Sequence, residues 1–476
     1  MSLVLSRPRP RQERDPAPAP NTPISGRYWR GAPYLLATLF FGAYGALSVA
    51  KHLQLRTNGY DLGIFEQAVR AYSELRAPVS ELKGAGFNLL GDHFHPILIT
   101  LAPFYRLFPS PVTLLVAQAA LLAVSVVPVT RLAIRTTTPL LGTGIGLAYG
   151  LSWGLQKAVA FDFHEIAFAV PLLAFCLERL ARRQWRAATA YALPLVLVKE
   201  DLPITLAAIG LYILLNGRRR LGAAVVAFGV LSGLLIVLVL IPALNPHGQY
   251  DYLTSTSPDS DGPLARLLLP QVKLDTLIAL FVPTAFLALR SPLVLLVVPT
   301  LAWRFWSTNP AFWGQDYHYS AVLMPIVFLA FADALGRLRD RRLVQPRIIA
   351  SAVAVSVSVS LLLLPGLPLS ELTGPAWKPS PWAGPAREVM AAVPDNAQIG
   401  VVNSLAAQLT DRAHVYRLPT ALDGGTKPEW LLVSDPARGG MPAMAWELTC
   451  LPRLPSLGYH LVEERSGIQL YRLGGS

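Results

Sequence analysis

Apolar runs recur along this chain of 476 residues, many of roughly 17–22 residues, the length a helix needs to cross a hydrocarbon core about 30 Å thick. They fall at about 32–50, 112–132, 139–157, 164–180, 186–199, 201–216, 221–243, 275–290, 292–306, 319–336 and 347–365, about eleven in all. With 53% hydrophobic and only 15% charged residues, the chain has too little charge to cover a soluble surface. An all-α polytopic membrane bundle of about eleven transmembrane helices is therefore expected.

The net charge of +12 would suit a nucleic-acid binder if it were gathered on one face. Instead the arginines stand in short clusters between apolar runs, the pattern of loops retained in the cytoplasm, so no nucleic-acid partner is expected. Threading the runs with the N-terminus inside gives cytoplasmic turns bearing Arg131 and Arg135, Arg179 to Arg186, Arg218 to Arg220, Arg290, and Arg337 to Arg347. External turns carry acids instead (Asp251, Asp259, Asp261). The apolar stretch 96–108 is too short to span, and counting it as a span would put every later arginine cluster outside. It reads as a surface helix in a long external loop, 51–111. The other surface helix of that loop, 61–75, has Leu62, Phe65, Val69 and Tyr72 at helical spacing.

Residues 1–31, rich in Pro and Arg, read as a disordered basic cytoplasmic tail. No small-residue cleavage site follows the first run, which is taken as an uncleaved span, so the transmembrane domain covers 32–365. A Pro-rich linker is expected at 366–384. Residues 385–476 then form a small extracytoplasmic α/β domain, with a helix at 385–392 and strands at Gln398–Val402 and near 429–434, 459–463 and 467–472. Cys176 sits in an apolar run and Cys450 far away, so no disulfide is expected.

Five polar motifs fall at the external ends of these spans: Tyr60–Gln67, Gly91–Pro96, Asp162–Glu165, Lys199–Asp201 and Gln315–Ser320. Lys199, Glu200 and Asp201 interrupt apolar sequence on both sides. A charge at mid-membrane costs about 2.5–3.5 kcal/mol even on lenient scales, so these three face a wet cavity or a partner, or else form a tight turn among headgroups. Asp92 with His93 and His95, and His164 with Glu165, suit a divalent cation such as Mg or Mn, or a general base oriented by its neighbour; single histidines also make headgroup contacts. His318 lies on the same side. Asp61 has a plainer reading as the N-cap of the surface helix, Glu66 as a solvated face residue, and Tyr317 and Tyr319 as interfacial aromatics.

In order along the chain, Tyr60–Gln67, Asn88–Pro96, Val198–Asp201 and Tyr317–Ser320 resemble a bacterial membrane family of unknown function, the 2079 family, over about residues 35–340. That family is similar to the GT-C glycosyltransferases, which take sugars from polyprenyl-phosphate donors on the external membrane face. The resemblance implies a GT-C-like bundle with Asp61 as catalytic base, and Lys199 with an external arginine such as Arg304 against the donor phosphate. Glu66, Asp92, His93, His95, His164, Glu165, Glu200, Asp201 and His318 would line the cavity or hold the cation, with Tyr317 and Tyr319 beside them. The chain departs from the GT-C pattern in having a single acid at the base position. Asn403–Ala407 lacks the histidine that often follows this turn in the 2079 family, so the resemblance does not carry a catalytic part over to the C-terminal domain.

The function expected is transfer of a sugar from a lipid-linked donor to an envelope glycan, lipid or protein at the external face of a bacterial inner membrane. A transporter or flippase is the alternative, because intramembrane charges also mark transport pathways; a non-catalytic envelope assembly protein is a third. Transport sites usually lie near the midplane, whereas these motifs gather at one face.

Overall fold

The computed structural model describes residues 27–254 and 263–474; residues 1–26 of the basic tail and the loop acids Asp259 and Asp261 lie outside the described residues. The chain opens with α1 (Ala32–Leu53), and the long loop that follows holds α2 (Ile64–Ser73) and α3 (Ala102–Leu107). Then come α4 (Pro111–Thr136), α5 (Pro139–Gly150), α6 (Trp153–Ala160), α7 (Ala169–Ala181), α8 (Trp185–Ala192), α9 (Leu202–Leu215) and α10 (Arg219–Leu235). Four more principal helices, Val272–Phe281, Val298–Trp306, Leu323–Asp340 and Pro346–Leu363, complete the bundle.

Among the described residues, four helices are long and apolar enough to cross a membrane unbroken: Ala32–Leu53, Pro111–Thr136, Arg219–Leu244 and Pro346–Gly366. Most of the other expected spans are helical but interrupted. The run 139–157 breaks between α5 and α6, α8 passes into a 3-10 turn at Leu193–Leu197, and the run 292–306 begins as a 3-10 turn, Pro292–Val297. Proline accounts for the break after α8, since Pro194 lacks the amide donor that a continuing α-helical turn requires. Near 282–286 the helix gives way at Pro283 to left-handed Ala285 and Phe286.

Apolar side chains occupy both the inside and the outside of this bundle. Tyr44 and Leu47 of α1 and Leu122 and Val126 of α4 are fully buried in one core, whereas Leu35, Leu231, Leu238 and Leu362 are exposed. Such an outside is stable only against lipid. α9 and α10 approach closely through small residues: a Cβ on Gly210 would lie 2.6 Å from the Val226 amide nitrogen, and one on Gly222 2.4 Å from that of Leu214. Arg339 reaches the backbone oxygens of Arg135 and Thr137, and Arg131 and Arg182 both pair with Glu178. The C-terminal ends of α4, α7 and the Leu323–Asp340 helix, with their arginines, thus meet at one end of the bundle.

The loop differs from expectation. The first surface helix starts at Ile64 rather than at 61, because Asp61 takes φ +84° inside a tight turn, Gly59–Gly63, and cannot be helical. The N-cap reading of Asp61 fails with it: the helix is preceded by Gly63 and has no side-chain cap. Nor does α2 lie on an open membrane surface, since Ile64 to Val69 and Ala71 are all buried. The 96–108 stretch is a 3-10 turn, Pro96–Leu101, followed by α3, with Ile99, Phe104 and Leu107 exposed.

The C-terminal part forms a five-stranded sheet in the order β2-β1-β3-β5-β4. Its strands are β1 (Gln398–Val401), β2 (His414–Arg417), β3 (Trp430–Ser434), β4 (Tyr459–Arg465) and β5 (Ile468–Leu473). β1 pairs parallel with β2 and β3, while β3–β5 and β5–β4 are antiparallel. The segment 366–384 is tied to the bundle rather than free: Leu369 and Ala376 are buried, the Leu369 amide donates to Gln156 Oε1 at 2.9 Å, and Arg56 pairs with Glu371 at 2.6 Å.

What covers α2 is this domain. Leu62, Phe65, Leu82 and Leu98 of the loop share one core with Val402, Leu405, Ala406 and Leu409. Gln67 donates to the Val415 oxygen at 2.9 Å and Arg70 to that of Thr410 at 3.1 Å. Glu66, fully buried at this seam, accepts from Tyr105 at 2.8 Å and from the Thr410 hydroxyl. It is therefore neither a solvated residue nor part of the cavity. Burial pushes its carboxyl from the ordinary 4.5 up to about 8. Because the folded state holds this proton more tightly than the unfolded one, its contribution is full below about pH 4.5 and is lost as pH rises through about 8. Glu66→Gln should remove that dependence. The unfolding midpoint of the detergent-solubilised wild type should fall between pH 5 and pH 9 by more than that of the variant; parallel curves would contradict the assignment.

Candidate active site

The turn before α2 is fixed from two directions. The Asn58 amide donates to Asp162 Oδ2 at 2.8 Å, and the Tyr60 amide donates to Asn403 Oδ1 of the C-terminal domain at 2.6 Å. Between these anchors Asp61 sits at φ +84°, ψ −78°. For a residue other than glycine this region costs on the order of 1–3 kcal/mol, a strain that persists only where the surroundings impose it. The Asp61 carboxylate remains 30% exposed and lies 3.3 Å from His164 Nε2.

His164 reaches this place because α6 ends at Ala160 and Asp162, at φ +54°, turns the chain back towards the bundle. Gln118 of α4 holds that turn, accepting from the His164 amide at 2.9 Å and donating to the oxygens of Ala158, at 3.1 Å, and Asp162. The His164 ring stacks on His318, centroids 3.6 Å apart, and on Phe161 at 5.0 Å, with Phe65 edge-on at 5.8 Å. His318 is presented by a left-handed turn at Tyr317 and packs against Tyr319 at 4.2 Å, while Tyr317 meets Phe161 edge-on. Burial lowers the His318 imidazole well below its ordinary range, so it is neutral near pH 7, and pushes the Asp162 carboxyl up to about 7.

A second group of charges lies alongside. Lys199 pairs with Glu165 at 2.7 Å, one residue along from His164. Glu200 accepts from His93 Nδ1 at 2.6 Å, from the Phe94 amide at 3.1 Å and from the Tyr250 hydroxyl at 2.8 Å, and His93 stacks on Tyr252 at 4.7 Å. Burial alone would lower the His93 imidazole, but the Glu200 carboxylate beside it carries it above its ordinary value. His95 is fully buried between the two groups, edge-on to Phe65 at 5.5 Å, and neither ring nitrogen has a hydrogen-bond partner among the described residues. Burial takes it down to about 4, so it is a neutral ring. Asp92 pairs with Lys83 at 2.7 Å.

Asp61, His93, His95, His164, Glu165, Lys199, Glu200, His318 and Tyr319 are thus linked through direct contacts or shared neighbours, with Asp92 and Tyr317 beside them. Asp201 follows as the residue ahead of α9, making no capping bond. Arg304 does not fit the phosphate role. It is fully buried, and its guanidinium is spent on the oxygens of Phe312 and Gly314, each at 2.8 Å, and on Ser320 Oγ at 3.1 Å. It is the scaffold of the loop that presents Tyr317 to Tyr319.

The sequence reading passed over Gln118, Asn403, Tyr250 and Tyr252 as site residues, and left Asp162 without a role. Of these only Gln118, a carboxamide within an apolar run, carried a signal of its own. As for the expected cation, no group of three His, Cys, Asp or Glu side chains among the described residues could hold a metal ion.

The architecture defines a class: a polytopic helical membrane bundle with a small C-terminal β-sheet domain, resembling the GT-C fold. Two crystal structures of ArnT from Cupriavidus metallidurans share it. The one bound to undecaprenyl phosphate has a TM-score of 0.56 at 16% identity, covering 94% of this chain and 98% of that one. The apo form has a TM-score of 0.53 at 14% identity, covering 93% and 98%. The chain itself belongs to the family described as Predicted membrane protein (DUF2079), whose profile matches residues 51–468. That match extends past the bundle into the C-terminal sheet. A search of curated proteins by sequence finds no match.

The Lys199–Glu165 pair is a further point of test, since Glu165 is 1% exposed and Lys199 13%. Glu165→Gln would take away the carboxylate in contact with the ammonium and should cost about 1–3 kcal/mol, read as a lower thermal midpoint in detergent. Adding Lys199→Met should recover most of the loss. A wild-type midpoint for Glu165→Gln would show that the pair does not hold the site together.

Proposed function

We propose that this protein transfers a sugar from a polyprenyl-phosphate donor to an acceptor hydroxyl at the external face of a bacterial cell membrane. In this reading about eleven spans cross the membrane, the N-terminus is cytoplasmic and the C-terminal domain extracytoplasmic. The observation that carries it is the Asp61 carboxylate, held on a strained turn 3.3 Å from His164 in a GT-C-like fold. Asp61 takes the acceptor hydroxyl proton as its oxygen attacks the anomeric carbon. The bond from that carbon to the phosphate oxygen breaks, and polyprenyl phosphate leaves with the electron pair. The His164 ring flanks the carboxylate, with Nε2 3.3 Å away and no hydrogen bond formed between them.

Lys199 and His93 supply positive charge for the donor phosphate. An apolar cleft of about 290 Å³ between α9 and α10, lined by Ile204, Ala207, Gly233 and Leu234 and reaching Glu200, suits the prenyl chain. The ArnT structure bound to undecaprenyl phosphate supports a lipid phosphate as the ligand of such a bundle. The polar groups gather at one end of the helices, which favours an enzyme over a transporter.

The test is release of labelled sugar from a panel of undecaprenyl-phosphate hexoses and pentoses by the purified protein in nanodiscs, with envelope extract as acceptor. Asp61→Asn should lower turnover by about 100-fold or more without moving the thermal midpoint. Normal turnover in this variant would overturn the assignment of the base. Translocation of the labelled lipid in vesicles without product would favour a flippase.

A further inference from the structure

The candidate base does not hold its own conformation. Asp61 lies at φ +84°, and nothing in its own side chain explains why an aspartate should stay there. The turn is pinned on the bundle side by Asp162, which accepts the Asn58 amide at 2.8 Å. On the other side it is pinned by one residue of the C-terminal domain. Asn403 uses both halves of its carboxamide: Oδ1 accepts from the Tyr60 amide at 2.6 Å, and Nδ2 donates to Asn58 Oδ1 at 3.3 Å.

Asn403 is itself fixed. It follows β1, at the carboxyl edge of the parallel strands, and its backbone amide donates at 2.6 Å to Glu447 Oε1. Glu447 is buried, and its second oxygen accepts from the Met444 amide at 3.0 Å. The approach of the two parts is close enough to exclude a side chain: a Cβ on Gly59 would stand 2.5 Å from that of Ala406. Arg417, at the end of β2, caps the seam with its guanidinium 4.4 Å from the Tyr60 ring centre.

We propose that Asn403 is a positioning residue, holding the Asn58–Asp61 turn in its strained form so that the C-terminal domain completes the active site across the domain seam. The role of Asp61 in transfer rests on the function proposed above; the clamp itself rests only on these contacts. Asn403 touches no reacting atom. It sets where the carboxylate stands, and a misplacement of about 1 Å is enough to cost on the order of 100-fold in rate.

Two measurements on the full-length protein in nanodiscs test it. The first is amide hydrogen exchange over residues 57–63. Asn403→Leu should raise exchange at Tyr60 by about 10-fold or more, while the strands and α4 keep their protection. Asn403→Asp retains an oxygen for the Tyr60 amide, and the Asn58 carboxamide can turn to donate to the second oxygen, so wild-type protection should largely return. The second is turnover of the undecaprenyl-phosphate sugar that serves the wild type. Asn403→Leu should lower kcat by roughly 10- to 100-fold with the donor KM within about twofold, and Asn403→Asp should restore most of kcat. Asn403→Ala serves both measurements if the leucine variant is not recovered folded.

Unchanged exchange at Tyr60 in the leucine or alanine variant overturns the clamp. Raised exchange with wild-type kcat, in a protein that Asp61→Asn inactivates, overturns the positioning role and leaves the proposed function standing. Turnover that survives Asp61→Asn overturns the function instead, and the exchange data still decide whether the clamp exists.

Discussion

A charge removed from water in a chain this apolar must find a partner or give up its charge, and the arrangement of the site follows from that requirement. Lys199 lies against Glu165, and His93 against Glu200, whose oxygens also take the Phe94 amide and the Tyr250 hydroxyl. Where no partner is available the group is neutral instead: His95 and His318 are held below their ordinary values by burial, and Glu66 above its own. Both solutions put the polar side chains at the end of the bundle away from the Arg131–Glu178 pair.

The same requirement explains why the C-terminal domain does not hang free. The long loop after α1 carries more buried apolar surface than a headgroup layer would cover: Leu62, Phe65 and Leu98 are at most 6% exposed. They share that core with Val402, Leu405, Ala406 and Leu409 of the C-terminal domain and with Leu114, Leu115 and Phe163 of the bundle. Loop and domain are therefore one folding unit in two stretches of sequence, and the strained turn at Asp61 is at its edge. Strain of this kind persists where contacts on several sides over-determine a backbone, and here they come from Asp162 below and Asn403 above.

What could be read from the sequence divides along the same line. Local pattern revealed the bundle, because a span must be apolar along its whole length and Arg131, Arg182 and Arg337 mark where spans end. Pattern also placed Asp61, Asp92, His93, His164, Lys199 and His318 on one face. It failed wherever a residue's surroundings are distant in sequence. Glu66 sits on a helix whose alternation looks half-solvated, and only the packing of Thr410 and Tyr105 around it reveals a buried acid. Arg304 has the charge for a phosphate ligand, but the carbonyls of Phe312 and Gly314 that occupy it are set by a turn no motif announces. β2 is four residues long with only Val415 fully buried, too little alternation to register.

Likeness of fold at 16% identity fixes architecture and leaves chemistry to the residues. In this chain a single half-buried carboxylate, Asp61, stands 3.3 Å from an imidazole nitrogen of His164. The second carboxyl, Asp162, is spent on the Asn58 amide and is pushed by burial to about 7, so near neutrality it carries only part of a negative charge. Two full carboxylates this near each other would repel, and in a site sheltered from water that repulsion is poorly screened. Lys199 and His93 each stand against a carboxylate, Glu165 and Glu200 respectively, so the charges beside Asp61 are balanced in pairs rather than left as a single sign.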